Sequence, residues 1–429
     1  MKQKRILWLA GLCFILTFPL IFGLVAEPGL DGETVAQLSK LSALLGMILF
    51  GLQVVLGAKV KFIEGLFGHD KIIVLHRKLG MIALVLVLFH ALTALGTALG
   101  RDAAGVMLGV VMLFLFLIML FFIVAHRLFR MKYEYWRNVH QLNYLIFPGA
   151  YLHSLILGSN VRSNSVWQIL WLLLGLGFLG VLLYKSGNEL RVRRNWFRVA
   201  RVVREAPHVW TLEFELAEPG RDRVRPFAYL PGQFLILRLV QNGYLREAHP
   251  FTISSSPTME RPAVSIKAAG DFTGQIAKVK PGDRALLDAP YGRFSFLNHP
   301  AGKYIFIAGG IGITPFMSML RYMRDQCQSP EILLIWGNRT EQDIAFRAEL
   351  AALEQAWPNF RAVHILSEEK NWQGESGFIT GELLQKYGGD LAKQEIFICG
   401  PPIMMQKTIR GLRALRVPRR QIHFEQFSW

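Results

Sequence analysis

The chain has 429 residues, of which 52% are hydrophobic, and its mean hydropathy is +0.31. This composition excludes an ordinary water-soluble globular protein and predicts a membrane part joined to a soluble part. The formal net charge is +17, but the basic residues flank apolar runs or belong to the soluble half, so they predict no nucleic-acid partner. The cysteines Cys13, Cys327 and Cys399 lack metal-ligand spacing and therefore predict neither a disulfide framework nor an iron–sulfur site.

Six apolar segments in the N-terminal half are long enough, or nearly so, to cross a bilayer as helices. They are residues 6–26, 41–58, 72–99, 106–125, 142–158 and 166–184. The first has an alternative interpretation as a signal peptide, although its apolar run is longer than a usual signal core. We therefore predict a six-helix transmembrane bundle over residues 1–190.

The basic residues predict the orientation of this bundle. Lysine and arginine precede the first segment and recur at 59–71, 127–137 and 185–198, whereas the loop after the first segment is acidic. Loops rich in lysine and arginine stay on the cytoplasmic side. Both termini, and with them the soluble half, are therefore predicted to be cytoplasmic.

Four histidines lie in the apolar part, in two matched pairs. His76 and His90 are 14 residues apart, and His140 and His153 are 13 apart, so each spacing spans roughly 20 Å of helix. Imidazole ligates haem iron from both faces, and ionisable residues within a membrane are usually functional. Two helices equipped in this way can hold two metal-centred cofactors at two depths. The alternative is that the histidines make polar contacts between helices.

The spacing of the second pair presents a geometrical difficulty. Fourteen residues return to nearly the same helix face, but thirteen end about 140° away. Pro148 lies between His140 and His153, and a proline bends a helix. The second helix is therefore not expected to be regular.

The soluble half contains two successive residue patterns. From residue 191 to 300, short alternating runs separated by Gly and Pro predict an antiparallel β-barrel. From 301 to 429, strands alternate with helices, which predicts an α/β doubly wound nucleotide domain. The histidines at 69, 126, 208, 299, 364 and 423 are predicted to be loop or surface residues.

A series of motifs in this half carries a family resemblance. In chain order they are LPGQF at 230–234, HPFTISS at 249–255, the loop from Lys267 to Gly274, APYG at 289–292, AGGIGITP at 308–315 and CGP at 399–401. The series resembles the ferredoxin-NADP reductase superfamily. Joined to helices with paired histidines, it resembles the NADPH oxidase and ferric reductase family, most closely its short bacterial members.

The resemblance implies FAD, NADPH and two b-type haems as cofactors, with NADH as the alternative nucleotide. His76 and His140 would ligate the inner haem, and His90 and His153 the outer one. The implied flavin contacts are Gln233, His249, Pro250, Phe251, Thr252, Ser254, Lys267, Thr273 and Gly274. The implied nucleotide contacts are Gly309, Gly310, Gly312, Thr314, Pro315, Arg339, Gly400 and Pro401, with Arg339 near the 2′-phosphate.

Three further residues would border the site of hydride transfer: Cys399 and the terminal aromatics Phe427 and Trp429. Trp429 stands where the family usually has phenylalanine. Each of these assignments has a simpler alternative. Cys399 is alternatively a small packed residue, and Arg339 is alternatively a solvated charge. The Gly-rich turn alternatively serves close packing, and Trp429 is alternatively part of a frayed chain end.

The implied function is transmembrane electron transfer from cytoplasmic NADPH to outer oxygen, which forms superoxide. A ferric chelate is the alternative acceptor. Arg101 and Arg162 are the only cations of the short outer loops. The resemblance places the protein in the bacterial inner membrane, with no obligate protein subunit. The competing class is a nucleotide-sensing transporter or a cytochrome subunit.

Overall fold

The computed structural model describes residues 34–95, 102–128, 133–217, 227–241 and 243–425. The chain divides into two compact units, Met1–Asn188 and Glu189–Trp429. The predicted first span, at 6–26, lies outside the described residues.

The described part of the first unit is helical. Its helices are α1 (Thr34–Gly57), α2 (Lys61–Phe67), α3 (His69–Leu95), α4 (Ala103–Leu128), α5 (Tyr133–His140), α6 (Asn143–Leu157), α7 (Ser159–Ser163) and α8 (Ser165–Arg194), the last of which continues into the second unit. Among the described residues, four stretches are long and apolar enough to cross a membrane: Ala36–Gly57, Lys71–Ala94, Ala103–Ile123 and Ser165–Arg194. They coincide with four of the predicted segments.

The predicted segment at 142–158 is a shorter element than the other four. Helix α6 has 15 residues, which is less than the roughly 20 that a bilayer requires. A turn at Gln141 and Leu142 separates it from α5. The irregularity expected between His140 and His153 therefore lies at this turn, whereas Pro148 is inside α6.

Helix α1 is the central element of the first unit's core. Leu49 on α1 packs with Leu79 and Ala83 on α3. Phe147 on α6 and Trp171 on α8, both 1% exposed, belong to a second cluster that also includes α1 residues. Large apolar side chains such as those at positions 85, 114 and 183 are 63–65% exposed, as expected for helices surrounded by lipid tails.

The second unit begins with an antiparallel sheet of seven strands. They are β1 (Trp196–Ala206), β2 (Val209–Leu216), β3 (Phe234–Gln241), β4 (Tyr244–Leu245), β5 (His249–Thr252), β6 (Ala263–Lys267) and β7 (Arg284–Tyr291). Their order is β4-β3-β7-β1-β2-β6, and β5 pairs with β3. Alternate residues such as Leu212, Phe214 and Leu237 are fully buried in its core.

A parallel sheet of six strands follows, in the order β11-β10-β9-β8-β12-β13. The strands are β8 (Lys303–Gly309), β9 (Glu331–Asn338), β10 (Phe360–Leu366), β11 (Glu375–Ser376), β12 (Glu395–Cys399) and β13 (Ile422–Phe424). Its helices are α9 (Thr314–Asp325), α10 (Arg347–Ala356), α11 (Gly381–Gly388) and α12 (Pro402–Ala414). The sheet has a separate hydrophobic cluster on each face, one with α9 and α10 and the other with α11 and α12. This is the doubly wound arrangement that the alternating pattern predicts.

Candidate functional site

The predicted histidine pairs meet across helices in the first unit. The ring centres of His76 and His140 are 6.0 Å apart, and those of His90 and His153 are 6.5 Å apart. Two imidazoles on opposite sides of one metal ion, each with a bond of about 2.0 Å, have ring centres about 6 Å apart. Each pair therefore has the separation that one shared iron requires.

His153 has a fixed tautomer. Its Nδ1 lies 2.9 Å from the carbonyl oxygen of Gly105. Because a carbonyl oxygen only accepts, Nδ1 carries the proton and donates it, and Nε2 keeps the lone pair that a metal ligand needs. Nδ1 of His90 lies 3.2 Å from both the carbonyl oxygen and the hydroxyl oxygen of Ser39, so Ser39 contacts the same nitrogen of the other ring.

A glycine makes room for His153. A Cβ atom on Gly109 of α4 would lie 2.5 Å from Cε1 and 2.6 Å from Nδ1 of the His153 ring. These separations are well inside van der Waals contact. The bare backbone of Gly109 therefore allows the imidazole to lie against α4.

The first pair has different surroundings. The ring of His140 stacks on Trp136, with centres 5.1 Å apart and planes 15° apart. The side-chain amide of Gln53 lies 2.8 Å from Nδ1 of His76. Nδ1 of His140 is buried, and it has no hydrogen-bond partner among the described residues. The fit of this pair to one shared iron therefore rests on the 6.0 Å between its ring centres.

In the second unit, the flavin motifs converge. Strand β5, which carries the HPFT motif, pairs with β3, so that Thr252 lies opposite Phe234 and His249 opposite Leu237. The His249 ring is 4.2 Å from the ring of Phe272. Phe272 belongs to the loop at 267–274, and the two predicted flavin segments are therefore neighbours.

The loop itself is a closed turn. The amide of Gly274 donates to the carbonyl of Gly270 over 2.6 Å, and the amide of Ala269 donates to Oγ1 of Thr273 over 3.0 Å. Lys267 precedes the turn, with Nζ 3.7 Å from the carboxylate of Asp343. Lys267 and Gly310 line one cleft, together with Trp336.

Three predicted contact residues have their polar side-chain atoms engaged inside the protein. Gln233 accepts from the amide of Leu230 and donates to the carbonyl of Gly292, over 2.7 and 2.8 Å. The fully buried Ser254 shares a hydrogen bond of 2.8 Å with Ser265. The Thr314 hydroxyl donates to the carbonyl of Ile311 at the start of α9, where Pro315 is also buried. The observed role of these three side chains is to hold the loops.

The two nucleotide motifs touch backbone to backbone. A Cβ on Gly312 would collide with the carbonyl oxygen of Cys399, and one on Gly400 would lie 2.9 Å from the amide nitrogen of Gly309. A Cβ on Gly309 would lie 2.8 Å from Cδ of Pro401. Glycine at these positions is what allows the turn after β8 to lie against the CGP segment after β12.

Cys399 has an acidic neighbour that the sequence motifs do not reveal. Glu425 is only 6% exposed, and its Oε1 would lie 2.6 Å from a Cβ on Gly292. Burial raises the pKa of the Cys399 thiol, and the charge of Glu425 raises it further, so the thiol stays protonated. The sequence marks Glu425 only as the single acidic residue of the aromatic segment HFEQFSW, residues 423–429. Phe427 and Trp429 lie outside the described residues.

Arg339 follows β9 at the carboxyl edge of the parallel sheet. Its Nε donates over 2.8 Å to Oε1 of Glu368, which follows β10 at the same edge. Both side chains are more than half exposed, at 70% and 53%. The guanidinium is therefore accessible to a phosphate, and Glu368 competes for it.

Together, these features define an oxidoreductase of the flavin and nicotinamide class that has an apolar helical part. Three family models match the chain. They are a ferric reductase like transmembrane component at residues 42–151, an FAD-binding domain at 212–295 and an oxidoreductase NAD-binding domain at 306–410. The chain belongs to the ferric-reductase-like membrane oxidoreductases that carry a dehydrogenase domain of the ferredoxin-NADP reductase type.

Curated relatives match about half of the chain. The glycine betaine monooxygenase reductase subunit of Chromohalobacter salexigens is 30% identical over 248 residues, which are 55% of this chain and 64% of that protein. The ferredoxin reductase component of the 3-ketosteroid-9-alpha-monooxygenase of Rhodococcus rhodochrous is 29% identical over 245 residues, or 54% and 64% of the two chains. The chain thus spans less than two thirds of the length of either relative.

A solved structure resembles the chain more extensively. The flavohemoglobin from Malassezia yamatoensis, with bound FAD and heme, has a TM-score of 0.51 at 17% identity. The match covers 92% of this chain and 97% of that one. At this identity the likeness concerns the fold alone.

Proposed function

We propose that the protein oxidises cytoplasmic NADPH and reduces oxygen to superoxide on the far side of the membrane, with FAD and two b-type haems as cofactors. The observation that carries the proposal is the meeting of four histidines in two cross-helix pairs, 6.0 and 6.5 Å apart. When bound, the flavin would convert a two-electron hydride donor into single electrons that haem iron can accept.

The residues of the first unit would hold iron at two depths. His76 and His140 form the inner pair and His90 and His153 the outer pair, given cytoplasmic termini. The carbonyl of Gly105 orients the His153 ring by accepting from Nδ1, and Ser39 contacts Nδ1 of His90. Nε2 would then be the ligand atom of each outer histidine.

The residues of the second unit would bind the flavin and the nucleotide. Thr252 and the turn at Thr273 and Gly274 would face the flavin. The Gly309 to Gly312 turn, packed against Gly400, leaves a bare backbone that a dinucleotide can approach closely. The exposed guanidinium of Arg339 would meet the 2′-phosphate.

Ferric-chelate reduction is a second candidate, and a specific finding favours it: the family model at residues 42–151 is a ferric reductase like component. Oxygen and a ferric chelate would both accept an electron at an exposed haem edge. A cation would favour superoxide, because it stabilises the developing anion. Arg162 is exposed on α7, and Arg101 lies outside the described residues. The relatives' names suggest a third outcome, delivery of electrons to a partner protein.

The first experiment tests the electron path in purified full-length protein. NADPH is added anaerobically while flavin and haem absorption are followed. Both chromophores should be present and should become reduced. Protein that contains no haem would favour the transporter alternative instead.

The second experiment identifies the acceptor. NADPH-driven cytochrome c reduction is measured with and without superoxide dismutase, and a ferric chelate is then added as competitor. Inhibition by dismutase is expected. If dismutase has no effect and the chelate is reduced much faster than oxygen, the oxidase assignment is wrong and ferric reductase stands.

A further inference from the structure

Three side chains of types that can ligate a metal ion meet in the second unit, although their chain positions are far apart. They are His299, in the connection before β8, Glu395, the first residue of β12, and His423 in β13. Both histidines were expected to be loop or surface residues. His299 does lie in a loop, whereas His423 lies in β13, and both are half-buried beside a carboxylate.

The three side chains are in direct contact. Nε2 of His423 is hydrogen-bonded to Oε2 of Glu395. The rings of His299 and His423 are stacked, with centres 3.7 Å apart and planes 28° apart. One ligand atom from each residue lies within 4.8 Å of the other two. The His423 and Glu395 side chains are only 12% and 23% exposed.

Glu395 lies at the end of β12 that is away from the nucleotide motifs. It begins the strand and pairs with Tyr304, whereas Cys399 ends the strand and pairs with Ala308, so about 13 Å of strand separates these two residues. His423 lies nearer to Cys399, because it pairs with Phe397 midway along β12. None of the three cluster residues is among the predicted FAD and nucleotide contacts.

We propose that His299, Glu395 and His423 form a binding site for a divalent transition-metal ion, of which Zn²⁺ is the preferred occupant. Two imidazoles and one carboxylate are a common ligand set for zinc, with a water as the fourth ligand. Ligand atoms around tetrahedral zinc lie about 3.4 Å apart. The ligand atoms, which lie within 4.8 Å of one another, would have to approach by up to about 1.4 Å, which side-chain rotation can supply.

In the proposed site, the cation replaces the hydrogen bond between Nε2 of His423 and Oε2 of Glu395. Metal binding needs a neutral imidazole and an ionised carboxylate. When Nε2 of His423 is the ligand atom, the proton of the neutral ring is carried by Nδ1. The bound ion would join β12, β13 and the connection before β8 through one centre. Strand β13 leads within two residues to Glu425, so the ion would also stabilise the chain that carries this buried carboxylate.

The test uses full-length protein with its cofactors, freed of loose metal by a chelator and titrated with Zn²⁺ by calorimetry. Wild type should bind one ion at this site, and it should show the visible bands of Co²⁺ when cobalt replaces zinc. The variants Glu395→Gln and His299→Asn should each weaken Zn²⁺ binding by at least about tenfold. Replacing a residue that merely hydrogen-bonds to a metal ligand already causes a loss of this size. The matched control is His208→Asn, because His208 is an exposed histidine in the turn after β1.

A second measurement separates loss of the site from loss of folding. Zn²⁺ should raise the unfolding temperature of wild type and of His208→Asn, but not of Glu395→Gln, because a ligand that binds only the folded state stabilises it. FAD content reports whether each variant folds. If wild type binds no Zn²⁺, or if the ligand variants bind it as tightly as His208→Asn does, the cluster is a hydrogen-bonded contact without a metal.

Discussion

The imidazole of His153 donates from Nδ1 to the carbonyl oxygen of Gly105 over 2.9 Å, and the glycine one turn further along α4, Gly109, leaves room for the same ring. Helix α4 therefore both orients this imidazole and admits it. These two contacts make the outer histidine pair sensitive to a change that touches no histidine.

Gly109→Ala should displace His153 and remove the outer haem. The new methyl group would lie 2.5 Å from the ring, so either the ring or the helix must move. Haem content should fall from two to about one per chain while FAD is retained, as measured by pyridine haemochrome and flavin absorbance. Gly180→Ala is the matched control, since a Cβ there meets no atom within 4 Å. Two haems in Gly109→Ala would show that the pocket tolerates the methyl group.

His90→Ala should also lose one haem, because a six-coordinate iron needs both imidazoles of a pair. The remaining inner haem should still be reduced by NADPH, whereas reduction of the outer acceptor should fall to near background. Haemochrome assay and anaerobic spectra measure both properties. His208→Ala serves as the exposed control. Retention of two haems in His90→Ala would contradict the assigned pairing.

Arg339→Ala should raise the KM for NADPH by about tenfold or more, the usual loss for one charge-assisted hydrogen bond. The KM for NADH should change little, because NADH lacks the 2′-phosphate. Glu368→Gln should lower the KM for NADPH, because it releases the guanidinium from its ion pair.

The control for this pair is Lys303→Ala. Lys303 and Glu331 are the first residues of β8 and β9 and form an ion pair there, at the other end of these strands from Arg339. Loss of this ion pair should therefore leave the KM for both nucleotides unchanged. Equal effects of Arg339→Ala on NADPH and NADH would remove Arg339 from the 2′-phosphate site.

Arg321→Ala should destabilise the second unit by about 3 kcal/mol, as expected when one partner of a buried ion pair is removed. Arg321 is 12% exposed, forms two hydrogen bonds with Glu349 over 2.8 and 2.6 Å, and donates to the carbonyl of Ser254. Thermal unfolding, monitored by the release of FAD, measures the loss of stability. Arg324→Ala, which removes a neighbouring arginine that is 48% exposed, should cost no more than about 1 kcal/mol. If Arg321→Ala and Arg324→Ala were equally stable, the Arg321–Glu349 pair would not contribute the predicted stability.

Cys399 should resist alkylation in the folded protein. Burial raises its pKa, so the reactive thiolate is not formed at pH 8, and the thiol is also inaccessible. The exposed Cys327 should be labelled by iodoacetamide under the same conditions, and Cys399 only after denaturation. Peptide mass spectrometry distinguishes the two sites. Rapid labelling of Cys399 in the native protein would show that the CGP segment opens.

The sequence by itself determined the class of protein. Apolar length decides which segments suit a bilayer, and strand and helix periodicity decide the layers, because both are local properties of a few successive residues. For the same reason, the Gly-rich turn and the HPFT and CGP motifs are recognisable in the sequence alone. The spacing of His76 and His90 likewise predicted a helix with two histidines on one face, and both residues lie on α3.

Only the tertiary structure decided which distant groups meet. The thirteen-residue spacing of His140 and His153 suited a regular helix poorly, and the turn at Gln141 and Leu142 resolved it. The approach of Glu425 to Gly292, and of His299 to Glu395 and His423, joins residues more than ninety positions apart. Such contacts depend on strand order and register, which are set by the packing of the whole sheet and leave no periodic signal in the chain.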